Sequence, residues 1–245
     1  MIRFALNLRY LSSTAYRSVG SFLALPSQRT LRDYTHVMKF DAGVSGEVVQ
    51  RLKEDMNFDK CSSSQKKVTV LMDEMKIKSG LVFNKSTGKL VGFVNLGDIN
   101  RDLETLKSTL SEDTASPKQP ELADSTLVMM VRPIFKPSFT FPVAQYPTTS
   151  LSGEKLYPVV WDVIETLELN DIQVHAVSCD GLSANRKFFR ISMDPDESLK
   201  IAVNTTNPFD QNRSVYFFCD VPHLLKTTRN CLATHLPIQI ADIYR

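Results

Sequence analysis

The sequence predicts an α/β fold: a mixed five-stranded sheet flanked by helices, with an added β-hairpin and an N-terminal helical segment. Three observations predict it. Short apolar runs at 68–72, 125–135, 139–148, 172–179 and 213–219 have the length of buried strands rather than helices. The first three form a meander, whereas the last two alternate with segments of helical period, an order that suits a mixed sheet covered by helices on both faces. Three acids, Asp73, Asp180 and Asp220, each stand toward the carboxyl end of a strand, where functional groups of such sheets collect.

Composition sets the frame. The chain has 245 residues, enough for one or two domains with a real core. Hydrophobic residues make up 42% and charged residues 23%, ordinary values for a globular chain. The net charge of +2 (29 basic minus 27 acidic) does not announce a nucleic-acid binder, so such a role needs a local patch. No apolar run approaches the roughly 20 residues of a membrane span. Cys61, Cys179, Cys219 and Cys231 include no Cys-x-x-Cys pair and suggest no disulfide framework. The spacing Cys219-x3-His223 followed by Cys231-x3-His235 departs from zinc-finger spacing and reads as a buried thiol with surface or capping histidines.

Residues 1–58 read as a helical lead-in. Phe4, Leu8, Leu11, Ala15, Val19 and Phe22 recur at three- and four-residue steps, which predicts a helix. The same stretch carries Arg3, Arg9, Arg17, Arg29 and Arg32 with no acid before Asp33. A mitochondrial presequence over residues 1–32 is therefore the alternative to a structural helix. Pro26 breaks the pattern, Ser27 caps a short helix, and Ser45 caps another with Val48, Val49, Leu52 and Met56 on one face. "DKCSSSQKK" (59–67) is polar and reads as a linker before a main domain over 65–232.

That domain opens on "KKVTVLMDEMKIK", a strand with a carboxylate, Asp73, near its middle. Two apolar runs flanking Asn84–Gly88 predict a hairpin. After a polar stretch come two strands, the second with Pro142 inside it, the mark of an edge. Leu156, Val159, Val160, Val163, Ile164 and Leu167 predict a helix whose Pro158 belongs in the first turn or kinks it. "IQVHAVSCDG" is the next strand, "LSANRKFFRI" a helix capped by Ser183, and "RSVYFFCDVPHLLKTTRNCL" a strand and a helix entered through Pro222.

The acids limit the chemistry. A carboxylate buried alone costs several kcal/mol, so it is paired, hydrogen-bonded or bound to a cation. Carboxylates that converge repel each other, and a divalent ion relieves that repulsion; oxygen ligands favour Mg²⁺ or Mn²⁺. For Asp180, followed by Gly181, a turn role competes. For Asp220, a helix-cap role near Pro222 competes with a place as third metal ligand. Arg186, Lys187, Arg190, Lys226 and Arg229 form either a phosphate-contacting rim or solvated helix faces.

Three segments, "VLMDEMKIKSGLVFNKSTGKLVGFVNLG", "VSCDGLSANRKFF" and "FFCDVPHLLKTTRN", resemble in that order the P-element-type transposases and their THAP-domain relatives. "LPSQRTLRDYTH" resembles the segment before the catalytic domain of that family. The resemblance runs from about residue 2 to the end. It implies a ribonuclease H-like fold and metal-dependent DNA cleavage and joining by three acids. It further implies that Asp73 is the first acid and Asp180 the second, with DNA as partner, a nuclear location and no membrane. The family's third acid, a Glu, lies beyond a long guanine-nucleotide-binding insertion that follows "PHLLK". Residues 233–245 correspond to the start of that insertion. The expectation is therefore a transposase remnant without the GTP site, holding Mg²⁺ or Mn²⁺ weakly through Asp73 and Asp180, with Asp220 as a possible substitute ligand, and inactive alone. The alternative is a non-catalytic DNA- or protein-binding module that regulates full-length relatives or associates with itself.

Overall fold

The computed structural model describes residues 1–35, 41–85, 88–110, 120–135, 139–193 and 203–235. The chain divides into two compact units, Met1–Phe40 and Asp41–Arg245. Of the expected start of an insertion over 233–245, residues 233–235 end the last helix and the rest lies outside the described residues.

The first unit holds α1 (Ile2–Leu11), α2 (Ser13–Val19) and α3 (Gln28–Thr35). The single long helix expected here is two helices. The Ser12 side chain accepts from the Ala15 N–H at 3.1 Å and starts a second helix, which breaks the phase of the apolar repeat. Consequently Phe4, Leu11 and Phe22 are exposed, and the buried cluster is Ala5, Tyr16 and Leu31. The Tyr16 hydroxyl donates to the Pro26 carbonyl. Ser27 caps α3 as expected, accepting from the Thr30 N–H at 3.0 Å.

The second unit contains β1 (Gly43–Val44), α4 (Gly46–Met56), β2 (Lys67–Lys76), β3 (Val82–Asn84), β4 (Lys89–Val91) and α5 (Gly97–Leu110). It continues with β5 (Ser125–Pro133), β6 (Phe141–Thr148), α6 (Gly153–Glu168), β7 (Gln173–Cys179), α7 (Ser183–Ser192), β8 (Asn204–Asn207), β9 (Asp210–Cys219) and α8 (Val221–His235). The main sheet runs β1-β6-β5-β2-β7-β9-β8, and β3–β4 form a separate two-stranded sheet. The five expected strands are its middle, and two strands the sequence reading missed extend its edges. Strand β1 is two residues long, and β8 reads Asn-Thr-Thr-Asn; neither carries an apolar run. The boundary also moves. Helix α4 packs on β6 and α6, so it belongs with the sheet rather than with a lead-in ending at residue 58. Nor is 59–67 slack: it forms short 3-10 turns at Phe58–Lys60 and Ser63–Lys66, the second with a Ser62–Gln65 capping box.

Strand β2 pairs antiparallel with β5 and parallel with β7, which in turn pairs parallel with β9. Register builds the core. Val131, Val70, Val177 and Phe217 form one buried row across four strands. Phe188 of α7 meets Phe217 edge-on at 5.5 Å, which sets α7 on this face. Helix α6 lies beside α7 and buries Leu156, Val159, Val160, Val163, Ile164 and Leu167. Its Gly153 meets α7 so closely that a Cβ there would lie 2.7 Å from Lys187 Cβ. Pro158 is the sixth residue of α6, not in its first turn. The row on the opposite face, Met130, Leu71, Ser178 and Phe218, is covered less deeply, and Phe218 is exposed.

At the amino-terminal edge of β7 a buried ion pair ties four elements together. Glu168, at the end of α6, accepts from Arg213 Nη2 at 2.6 Å, the Val174 N–H at 2.8 Å and Asn207 Nδ2 at 2.9 Å. Arg213 Nη1 also donates to the Val174 carbonyl at 2.8 Å. Next to this pair, His175 has a buried Nε2 without a hydrogen-bond partner among the described residues. Burial, reinforced by Arg213 and Lys67, lowers its pKa below 6.5. The folded state thus prefers neutral His175, whereas the unfolded chain binds a proton near pH 6.5. The resulting stability is complete above pH 6.5 and is lost as pH falls through the folded value. Urea midpoints are expected to decline more steeply from pH 7.5 to 5.5 in the native protein than in His175→Gln. Equal slopes would assign the loss to other groups.

Candidate functional site

The opening strand carries a carboxylate in its middle because β2 outruns one neighbour. It pairs with β7 only as far as Leu71↔Ser178, but stays paired with β5 through Lys76↔Ser125. Beyond Leu71 a notch therefore opens on the β7 side. Two residues further along each parallel strand stand Asp73 and Asp180, at equivalent positions. Together they line one small cavity with Met72, Glu74, Leu127 and Leu156.

Each carboxylate is held by local bonds. Asp73 Oδ1 accepts from the Glu74 N–H at 2.9 Å. Asp180 Oδ1 accepts from the Leu182 N–H at 3.1 Å and from Asn185 Nδ2 at 2.6 Å. Asn185 donates also to the Asp180 carbonyl at 3.2 Å. The turn into α7 is thus organised by Asp180, not by Ser183, which is the first helical residue and forms no cap bond. In both acids Oδ2 accepts no hydrogen bond among the described residues. Carboxylate oxygens are the hard donors that Mg²⁺ and Mn²⁺ prefer.

Asp220 does not join them. Its N–H donates to the Cys179 carbonyl at 2.7 Å, which places it at the neighbouring strand end. Its Oδ2, however, lies 2.5 Å from His223 Nδ1, one helical turn on, and it does not line the cavity. The described residues contain no group of three or more His, Cys, Asp or Glu side chains arranged to hold a metal. The expected third ligand is thus turned toward His223, because the Asp-x-x-His spacing at the start of α8 gives its carboxylate a nearer partner. The cross-strand neighbours Cys179 and Cys219 remain thiols. Burial raises both pKa values, and Asp180 adds to the rise.

Among the basic residues, Lys187 pairs with Glu154 of α6, while Arg186 and Arg190 of α7 and Lys226 and Arg229 of α8 are exposed. Sequence reasoning missed the share of Glu74 and Leu127 in the cavity; their places follow from the β2–β5 pairing Glu74↔Leu127, which no local pattern shows.

A mixed sheet with acids at the ends of adjacent parallel strands defines a ribonuclease H-like core. The chain belongs to the family described as TNP-like, RNase H N-terminal domain, whose family model matches residues 40–192. Among solved structures it is similar to the Drosophila P element transposase strand transfer complex, with a TM-score of 0.60 and 19% identity. The match covers 95% of this chain and 43% of that chain, so the protein spans less than half of that relative. At this identity the likeness is one of fold. No curated protein sequence matches the chain. No described helix is long and apolar enough to cross a membrane.

Proposed function

We propose that this is a transposase-derived protein that acts on DNA, with Asp73 and Asp180 as its metal-holding acids. One observation carries the reading: acids 107 positions apart in sequence (180 − 73) line one cavity at equivalent ends of parallel strands, in a member of a ribonuclease H family. Mg²⁺ or Mn²⁺ held there supplies charge neutralisation for phosphodiester chemistry. The chain's own residues bind and orient. Asn185 and the Leu182 N–H fix the Asp180 carboxylate, and the exposed Arg186 and Arg190 of α7, the helix that follows it, contact phosphates. The reading carries with it a nuclear location, where chromosomal DNA lies.

With no group of three His, Cys, Asp or Glu side chains arranged around one ion among the described residues, the cavity holds an ion weakly and turns over little, because losing one member of a catalytic unit removes most of its rate. The same observation favours a second reading, a DNA-binding regulatory module without catalysis. Mn²⁺ titration followed by electron paramagnetic resonance tests the site. We expect binding at about millimolar concentration, lost in Asp73→Asn, with no more than traces of plasmid nicking. Binding that survives in Asp73→Asn would remove the assignment, and robust nicking would remove the second reading.

A further inference from the structure

The β3–β4 hairpin stands out on two counts. Its strands pair Val82 with Val91, Phe83 with Leu90 and Asn84 with Lys89. Successive residues alternate faces, so Val82 and Val91 lie on one side and Phe83 and Leu90 on the other. Neither side is covered: the four residues are 62, 45, 59 and 51% exposed in that order. A two-stranded ribbon with apolar groups bare on both faces is marginal alone. It is held at its base instead, where the Gly92 carbonyl accepts from the Ala123 N–H at 2.9 Å and the Val94 N–H donates to the Glu121 carbonyl at 2.8 Å. Gly92 has φ +127°, and a Cβ there would lie 2.2 Å from the Gly80 carbonyl oxygen, so the pinch requires glycine.

Charge is the second count. Residues 75–92 contain Lys76, Lys78, Lys85 and Lys89 and no acid, more positive charge than the whole chain carries net. Lys76 pairs with Asp124 at 3.4 Å. Lys78, Lys85 and Lys89 are exposed and have no ion pair among the described residues. A basic ribbon does not suit an apolar protein core, where three bare ammonium groups would be desolvated. It suits a polyanion with an apolar lining. The major groove of duplex DNA is about 12 Å wide and admits a two-stranded ribbon; its walls are phosphates and its floor carries thymine methyl groups.

We propose that the β3–β4 hairpin is a DNA-gripping arm, with Lys78, Lys85 and Lys89 on backbone phosphates and Phe83 and Leu90 against the groove of a duplex whose backbone reaches the Asp73–Asp180 notch. This rests on the reading of the chain as a DNA-acting protein and adds where the duplex is held. The probe is a 30-bp duplex followed by fluorescence anisotropy in EDTA at several salt concentrations. The variants are Lys78→Gln/Lys85→Gln/Lys89→Gln and Phe83→Ser/Leu90→Ser, with thermal melting to verify folding. The lysine variant is expected to bind roughly tenfold more weakly and to lower the slope of log K against log salt by about 2–3. The apolar variant is expected to bind several-fold more weakly with an unchanged slope, and Mn²⁺ binding is expected to stay native in both. If the native chain binds the duplex and the lysine variant matches it in affinity and slope, the arm is refuted while the DNA reading stands. If the native chain does not bind, both fall. An unaffected affinity together with a dimer that Phe83→Ser/Leu90→Ser dissolves in sedimentation would assign the ribbon to a protein contact and overturn the proposal.

Discussion

Glu168→Ala is expected to lower the melting temperature by roughly 6–20 °C, the largest loss of stability from any single substitution considered. The Glu168 and Arg213 side chains are 7% and 11% exposed, so deleting one partner strands the other's charge away from water. Such a break costs about 3–5 kcal/mol, and a chain of this size loses about 2–4 °C per kcal/mol. The Val174 N–H and Asn207 Nδ2 lose their acceptor at the same time. Arg213→Met is expected to do similar damage by leaving Glu168 uncompensated. Joining it to Glu168→Leu should recover part of the loss, because no charge is then stranded, but not all, because the Val174 amide stays unpaired. Mn²⁺ and DNA binding are expected to survive, since the pair sits at the amino-terminal end of β7 and the candidate site at its carboxyl end. Thermal melts of the two single variants and the double variant check this; additive losses in the double variant would show that the two side chains do not act as a pair.

Asp180→Asn and Asp180→Ala are expected to divide two roles that one side chain combines. Its Oδ1 organises the entry to α7 through the Leu182 N–H and Asn185. Its Oδ2, which accepts no hydrogen bond among the described residues, is the atom proposed to meet an ion. Asparagine keeps an oxygen that accepts the Leu182 N–H, so Asp180→Asn should melt close to the native protein yet lose Mn²⁺ binding by tenfold or more, roughly the loss of one charged ligand. Alanine removes both roles, so Asp180→Ala should lose the ion and about 1 kcal/mol of stability as well. Native Mn²⁺ affinity in either variant would remove Asp180 from the site. A melting temperature for Asp180→Ala equal to that of Asp180→Asn would remove its role in the turn.

Local patterns carried the middle of the sheet. Val68–Met72, Leu127–Val131 and Val174–Val177 are largely apolar stretches, interrupted only by Thr69 and His175, and each lies in a strand. The edges were invisible for the opposite reason: β8 is polar throughout and pairs with β9 through its backbone, which leaves no side-chain signature. Periodicity misled in the first unit. One phase ran from Phe4 to Phe22, but the Ser12 side-chain bond to Ala15 resets it, and Tyr16 rather than Phe22 is buried. At the candidate site, residue types were legible and adjacency was not. Asp73, Asp180 and Asp220 look alike in sequence, each following an apolar run. Only the register shows that the first two share a cavity, while His223, three residues on, engages the third.

The pairing of β2 with β7 also has a consequence for how the protein forms. The meander β2–β5–β6 closes shorter spans, whereas Leu71 meets Ser178 only after more than a hundred residues have been gathered in. Closing so long a span costs chain entropy before any contact repays it, and non-local parallel pairing of this kind slows folding. On a ribosome Asp73 emerges well before its neighbour exists. The notch between Asp73 and Asp180 therefore forms only once the second of its two strands has been made, after the strands of the meander are already available to pair.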